Sequence, residues 1–217
     1  VESDEDIAGG CLALMEVKTG AITALANCHR MDNGRIGEYY NYAISHSYEP
    51  GEVVQTMTLA ASLSDGMIKS LDENLPTNHG RLTDTCMFRD NYIIQYERKN
   101  QTDSISVIDG FAQSSRFVAS SLALNYARSQ DYFYKWYETF CIDDYNFDLD
   151  GMRELDLVDP IGRDINTLTS AGAGYGFTVC PMQILAFYNT IANNGKMMYP
   201  MLIKKMTSDK YGSQYMM

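Results

Sequence analysis

No apolar run in the 217-residue chain approaches the roughly 20 residues that a helix needs to cross a bilayer. Cationic runs are absent too. Lys and Arg number 17 against 28 Asp and Glu, a net charge of -11, which excludes a basic surface for nucleic acid or anionic lipid. The three histidines, His29, His46 and His79, are dispersed and lack metal-ligand spacing; neither metal nor cofactor is expected. The five cysteines, Cys11, Cys28, Cys86, Cys141 and Cys180, are odd in number and contain no C-x-x-C pair. That argues against a disulfide framework and a zinc site, and each is expected as a small buried hydrophobe. Neither an internal repeat nor a low-complexity linker divides the chain. One domain over residues 1–217 is expected, with an acidic flexible segment at 1–8 that carries no signal-peptide pattern.

Apolar residues make up 45% of the sequence, enough for a core. Cys11–Met15 and Ala21–Ala26 read as two strands joined by Lys18-Thr19-Gly20, and residues 28–50 as a polar loop. From Val53 the spacing of Val54, Met57 and Ala61 predicts a helix that Asp65-Gly66 ends. Residues 69–103 look irregular, with strand character near Tyr92-Ile93-Ile94. Ser104–Tyr126 has helical period, broken near Ser114-Ser115. Asp131–Phe140 reads as an aromatic helix with Tyr132, Trp136 and Phe140 on one face. Asp143–Asn166 reads as an acidic loop, followed by the glycine-rich 171–176. Pro181 opens a helix through Met182, Leu185, Tyr188 and Ile191 that stops at Asn193-Asn194-Gly195. Met201–Met206 reads as a last strand. The fold class is α+β, mostly helical with an N-terminal β-hairpin.

Tyr48-Glu49-Pro50-Gly51-Glu52-Val53-Val54-Gln55 is the most informative segment. A Pro-Gly turn leads into an apolar helix, the setting in which serine acyl-transfer enzymes place Ser-x-x-Lys one helical turn apart. Here Glu52 and Gln55 stand at the two places. A carboxylate does not replace a serine hydroxyl, and an amide cannot relay a proton as an amine does.

The chain resembles the transpeptidase domain of class B penicillin-binding proteins. The resemblance rests on Gly10–Ala26 as the opening hairpin, on Asn41-Tyr42-Ala43 followed by the Pro-Gly turn, and on Ser114-Ser115-Arg116. It continues in Gly174-Tyr175-Gly176 with Pro181-Met182-Gln183, and in Ile191–Gly195 with Tyr199-Pro200. It implies a serine β-lactamase-like fold, a role in peptidoglycan and cell-wall assembly, and a place on the periplasmic side of the inner membrane with an upstream anchor. Against the family pattern, Glu52 and Gln55 replace the nucleophile and its lysine, and Arg116 replaces the asparagine of Ser-x-Asn. The third motif, Lys-Thr-Gly, belongs beyond Met217, so the C-terminal sheet strands are expected to be missing. Lys18-Thr19-Gly20 spells the tripeptide but belongs to the opening hairpin.

The expected function is therefore that of a non-catalytic scaffold or regulator, with no catalytic residue. The alternative is an active D,D-transpeptidase or carboxypeptidase that binds penicillin covalently. The cleft candidates are Glu52, Gln55, Ser114, Ser115, Arg116 and Tyr175. If the family's facing motifs are kept, Glu52 and Arg116 should form an ion pair, for which a bidentate geometry is available, with Gln55 and Ser114 as hydrogen-bonding neighbours; the alternative is that both are solvated surface charges. The resemblance implies cell-wall synthesis proteins or peptidoglycan fragments as partners. An open hairpin edge at Gly10–Ala26 suggests a homodimer.

Overall fold

A computed structural model describes residues 7–83, 90–141, 164–203, 205–208 and 212–215. In chain order, the first elements are β1 (Gly9–Met15), β2 (Ile22–Arg30), β3 (Ile36–Gly37), α1 (Tyr42–Ser45), α2 (Gln55–Ser64), β4 (Asn74–Pro76) and α3 (Asn91–Asn100). There follow β5 (Ser104–Ser106), α4 (Val107–Ala112), α5 (Arg116–Leu124), α6 (Gln130–Cys141), α7 (Ile165–Ala173), α8 (Pro181–Ala192), β6 (Lys205–Ser208) and β7 (Gly212–Tyr215). They fall into two compact units.

The first unit contains the described residues of 1–47, 141–155 and 179–217. β1 and β2 pair antiparallel, Leu12 opposite Ala26 and Leu14 opposite Ala24. Strand alternation splits the side chains between two faces. Cys11, Ala13, Ile22 and Leu25 pack on Ala43, Ile44, Cys180 and Met182, whereas Leu12 and Leu14 stand outside, 56% and 54% exposed. β2 runs further than its sequence suggests and pairs with β3. The polar Asp32-Asn33-Gly34 is a tight turn rather than an open loop: Gly34 N–H donates to Met31 O at 2.8 Å, and Met31 N–H to Arg35 O at 2.8 Å.

α8 begins at Pro181, and the Gln183 side chain accepts from Cys180 N–H at 2.8 Å. Its buried stripe differs from the expected one. Met182, Ala186, Phe187, Asn189 and Thr190 are buried, while Tyr188 and Ile191 are exposed. The stripe includes a polar member because Asn189 Nδ2 donates to Val17 O, tying the helix to the β1–β2 turn. Of the strand expected at Met201–Met206, Met201 makes only a single bridge to Ala21; regular pairing begins at Lys205, in the β6–β7 hairpin. The buried-cysteine expectation holds for Cys180 and fails for Cys28, which is exposed on β2. Cys86, the Cys141 side chain and most of the acidic 143–166 stretch lie outside the described residues.

The second unit contains the described residues of 48–140 and 156–178. A 3₁₀ turn at Gly51–Val54 runs into α2, with Val54, Met57 and Ala61 fully buried as their spacing predicts. The strand character read at Tyr92-Ile93-Ile94 is wrong: these residues open α3. Asp90 caps it by accepting from Tyr92 N–H at 3.0 Å. Ile93 then packs with Ile68, Ile105, Phe117 and Val118, and Tyr92 and Tyr96 flank that core. One turn of helix places these side chains together, which outweighs the β preference of two isoleucines. Ser104–Ser106 is strand β5, paired with β4, and the helical pattern starts only at Val107.

In α6 the buried face is Phe133, Tyr137 and Phe140, while Tyr132 is 66% exposed. Trp136, at the middle of the expected face, is half-buried, and its indole N–H donates to Asp65 Oδ2 at 2.7 Å. α7 is capped by Asp164, which accepts from Thr167 N–H at 2.9 Å. The sequence reading missed this helix, because its C-terminal Ala171-Gly172-Ala173 looks like a glycine-rich loop. Gly172 is there for packing: a Cβ would stand 2.4 Å from the Ala123 methyl on α5.

Candidate functional site

The segment carrying Glu52 is fixed by its backbone. Gly51 N–H donates to Gly174 O at 2.9 Å. The two chains approach so closely that a Cβ on Gly174, whose φ is +96°, would lie 1.8 Å from Gly51 O. Glu49 Oε1 accepts from Gly176 N–H at 2.8 Å, a second tie between the same two segments. The Pro50-Gly51 turn thus presents Glu52 in the first turn of the helix start, where a carboxylate is favoured by the exposed amide dipoles.

Arg116 reaches the same place from α5. Ser114 ends the preceding turn with a left-handed backbone, φ +51°. Ser115 is 3% exposed and is not a cleft residue. Its hydroxyl donates to Asp90 Oδ2 at 2.8 Å and accepts from Val118 N–H at 3.3 Å, capping α5. Arg116 follows as the first helical residue. Asp90 is the position sequence reasoning missed; its only signal is an Asp placed before the Tyr92, Ile93, Tyr96 spacing of a helix start.

Arg116 Nε stands 3.7 Å from Glu52 Oε1, with both side chains about half exposed. The expected ion pair is therefore present as a Coulombic contact beyond hydrogen-bond length, without the bidentate geometry open to it. The guanidinium instead lies over the Tyr175 ring, its carbon 4.7 Å from the centroid. A stacked arginine of this kind is held at a cation–π strength of about 0.5–1 kcal/mol. Gln55 is buried, and its Nε2 donates to the Ser114 carbonyl at 3.4 Å. The structure therefore gathers Glu52, Gln55, Ser114, Arg116 and Tyr175, and sets Ser115 apart. Glu52 and Gln55 thus bring a carboxylate and an amide to this place.

A second polar cluster surrounds Glu97. Its carboxylate accepts from the Thr77 hydroxyl, from His79 N–H at 3.2 Å, and stands 3.1 Å from His79 Nδ1. Asn78 and His79 hold left-handed conformations, φ +43° and +55°. Among the described residues no group of His, Cys, Asp and Glu is placed to hold a metal ion, and no helix is long and apolar enough to cross a membrane.

Solved structures share the fold, two of them from Burkholderia. A peptidoglycan glycosyltransferase from Burkholderia ambifaria superposes with a TM-score of 0.68 at 18% identity, over 95% of this chain and 59% of its own. The apo transpeptidase domain of penicillin-binding protein 3 from Burkholderia pseudomallei gives 0.68 at 18%, over 96% and 56%. The chain thus spans well under two thirds of either neighbour's length, and at such identity the likeness speaks for the fold alone. No curated protein matches the chain in sequence. The penicillin binding protein transpeptidase domain family does match, over residues 10–216. With nearly the whole length covered, the chain belongs to the penicillin-binding protein transpeptidase domain family.

Proposed function

We propose that this chain is a non-catalytic class B transpeptidase homologue that acts outside the cytoplasmic membrane as a scaffold or regulator of peptidoglycan assembly. The observation that carries this reading is Glu52. It stands 3.7 Å from Arg116 at the start of the α2 segment; in our reading of the sequence these two residues take the places of the family's serine and asparagine. With nucleophile and base both replaced, what a site of this kind retains is binding and orientation. A fluorescent penicillin tests it. We expect no covalent label, and a label that survives denaturation would overturn the reading in favour of an active D,D-transpeptidase or carboxypeptidase.

The partners we propose are cell-wall synthesis proteins or peptidoglycan fragments, together with a second copy of the chain along the Gly10–Ala26 hairpin. β1 pairs with β2 on one side and, among the described residues, with no strand on the other; an edge of this kind is open to a further strand. Light scattering over a dilution series checks the dimer, and a concentration-independent monomer would refute it.

A further inference from the structure

Two thiols meet in the core of the first unit. Cys11, on β1, packs on the cluster that Cys180 forms with Ala43, Ile44 and Met182. β1 and α8 bring the two cysteines together from distant parts of the sequence. Both thiols are free. Cys28 does not compete for either. Strand alternation puts Cys11 and its cross-strand neighbour Asn27 on one face of the sheet. Cys28, opposite Gly10, is on the other face and exposed. No C-x-x-C spacing marks the pair, which packing alone creates.

The two sulfurs differ in a way that favours exchange. Cys11 is half-buried and so within reach of a reagent, whereas Cys180 is 1% exposed. Cys180 is also the N-cap of α8. Its Sγ accepts from Gln183 N–H, and Gln183 Oε1 accepts from Cys180 N–H at 2.8 Å. Amides at a helix start favour a thiolate over a thiol. Burial pushes both thiols up; at Cys180 the Gln183 and Met182 amides oppose that rise, and the neighbouring Cys11 adds to it. The last effect puts each sulfur within the other's field.

We propose that Cys11 and Cys180 form an intramolecular disulfide when the chain meets a small-molecule disulfide oxidant. The Cys11 thiolate attacks one sulfur of the oxidant, which leaves a mixed disulfide on Cys11 and releases one thiolate. The Cys180 thiolate then attacks the Cys11 sulfur and expels the second. The protons of the two cysteines end on the two released thiols, so the chain is oxidised by two electrons and the oxidant reduced by two. The second unit lies between the two cysteines in sequence. The bond therefore closes the first unit on itself across that insertion. An oxidising setting in the cell rests on the extracytoplasmic reading above; the pair itself is independent of the Glu52–Arg116 groove.

The test equilibrates the whole reduced chain with oxidised glutathione, alkylates it, and maps it by mass spectrometry without reduction. The expected product is a linked Cys11–Cys180 peptide, with a thermal midpoint about 4–16 °C above that of the reduced chain. Cys28→Ser should keep both results. Cys11→Ser, at a half-buried position, should lose both. Cys180→Ser should stop at a glutathione adduct on Cys11. A parent chain that carries the Cys11 adduct without the linked peptide would overturn the proposal. So would a dominant bond from Cys11 or Cys180 to any other cysteine, or a linked chain that melts no higher than the reduced one. Failure of the linkage leaves the penicillin result untouched, and penicillin labelling leaves the linkage untouched, so the two readings fail separately.

Discussion

Gly174→Ala is the sharpest test of how the groove is built. Two costs add at this position. An alanine must hold the left-handed backbone, φ +96°, which costs about 1–2 kcal/mol. Its methyl must also displace the Gly51 carbonyl, 1.8 Å away. The Gly51 N–H to Gly174 O hydrogen bond is then distorted or lost, a further cost of about 0.5–1.5 kcal/mol. The expected total is about 1.5–3.5 kcal/mol. Gly66→Ala is the internal control, because Gly66 has φ +66° but open space where a Cβ would go. It should cost only the backbone part, about 1–2 kcal/mol. Urea unfolding followed by far-UV circular dichroism measures both. Because the two glycines lie in the same unit, the midpoints report on one packing. Equal losses at the two sites would refute the close approach of the 51 and 174 segments, and with it the account of how Glu52 is presented.

Asp65→Ala should destabilise the second unit by about 2–4 kcal/mol. It removes the acceptor of both the Tyr126 hydroxyl, at 2.9 Å, and the Trp136 indole, at 2.7 Å. Burial, then the bond to Asp65, raises the Tyr126 pKa, so Tyr126 is a neutral donor across the accessible range. Trp136 is the sole tryptophan, so its fluorescence should change together with the loss of stability. Glu52→Gln should cost less than about 1 kcal/mol, because both partners of the pair are half exposed; a larger loss in thermal melting would show a tighter pair than 3.7 Å allows. Burial alone would raise the Glu97 pKa, but hydrogen bonds from Thr77 and His79 outweigh it and hold the value below 4.5. The sign follows from linkage: a depressed carboxyl contributes stability that is present above about pH 4.5 and lost as pH falls through the folded value. The acid limb of the stability profile should therefore flatten in Glu97→Gln, and an unchanged limb would contradict it.

Much of this architecture is legible where a residue type has one physical use. Pro181 starts α8 because proline lacks the amide that a first helical turn leaves unpaired, and Val54, Met57 and Ala61 bury together because helical spacing lets them. The facing of residues 52 and 116 came from the order of the family's motifs and needed no side-chain detail. What escaped the sequence depends on long-range partners. Ile93-Ile94 looks like strand until Asp90 caps a helix over it. Ala171-Gly172-Ala173 looks like a loop until the α5 methyls are placed against it. Ser115 looks like a cleft hydroxyl until Asp90 claims it. The Glu52–Arg116 pair was legible, but its geometry was not: the guanidinium carbon also lies 4.7 Å from the Tyr175 ring centroid, a contact that no local spacing reveals.

Asp90 has one more consequence. Its two oxygens fasten the starts of two helices to each other, Oδ1 at the head of α3 and Oδ2 on the serine that caps α5. The position of the α5 start, and so of whatever side chain residue 116 bears, is set by a carboxylate and a hydroxyl that take no part in the groove. The same holds opposite, where Glu49, Gly51, Gly174 and Gly176 set the place of residue 52 without touching its side chain's role. The groove's shape and its reactivity are written in different residues. Side chains at residues 52 and 116 can therefore change while the backbone that positions them stays as it is.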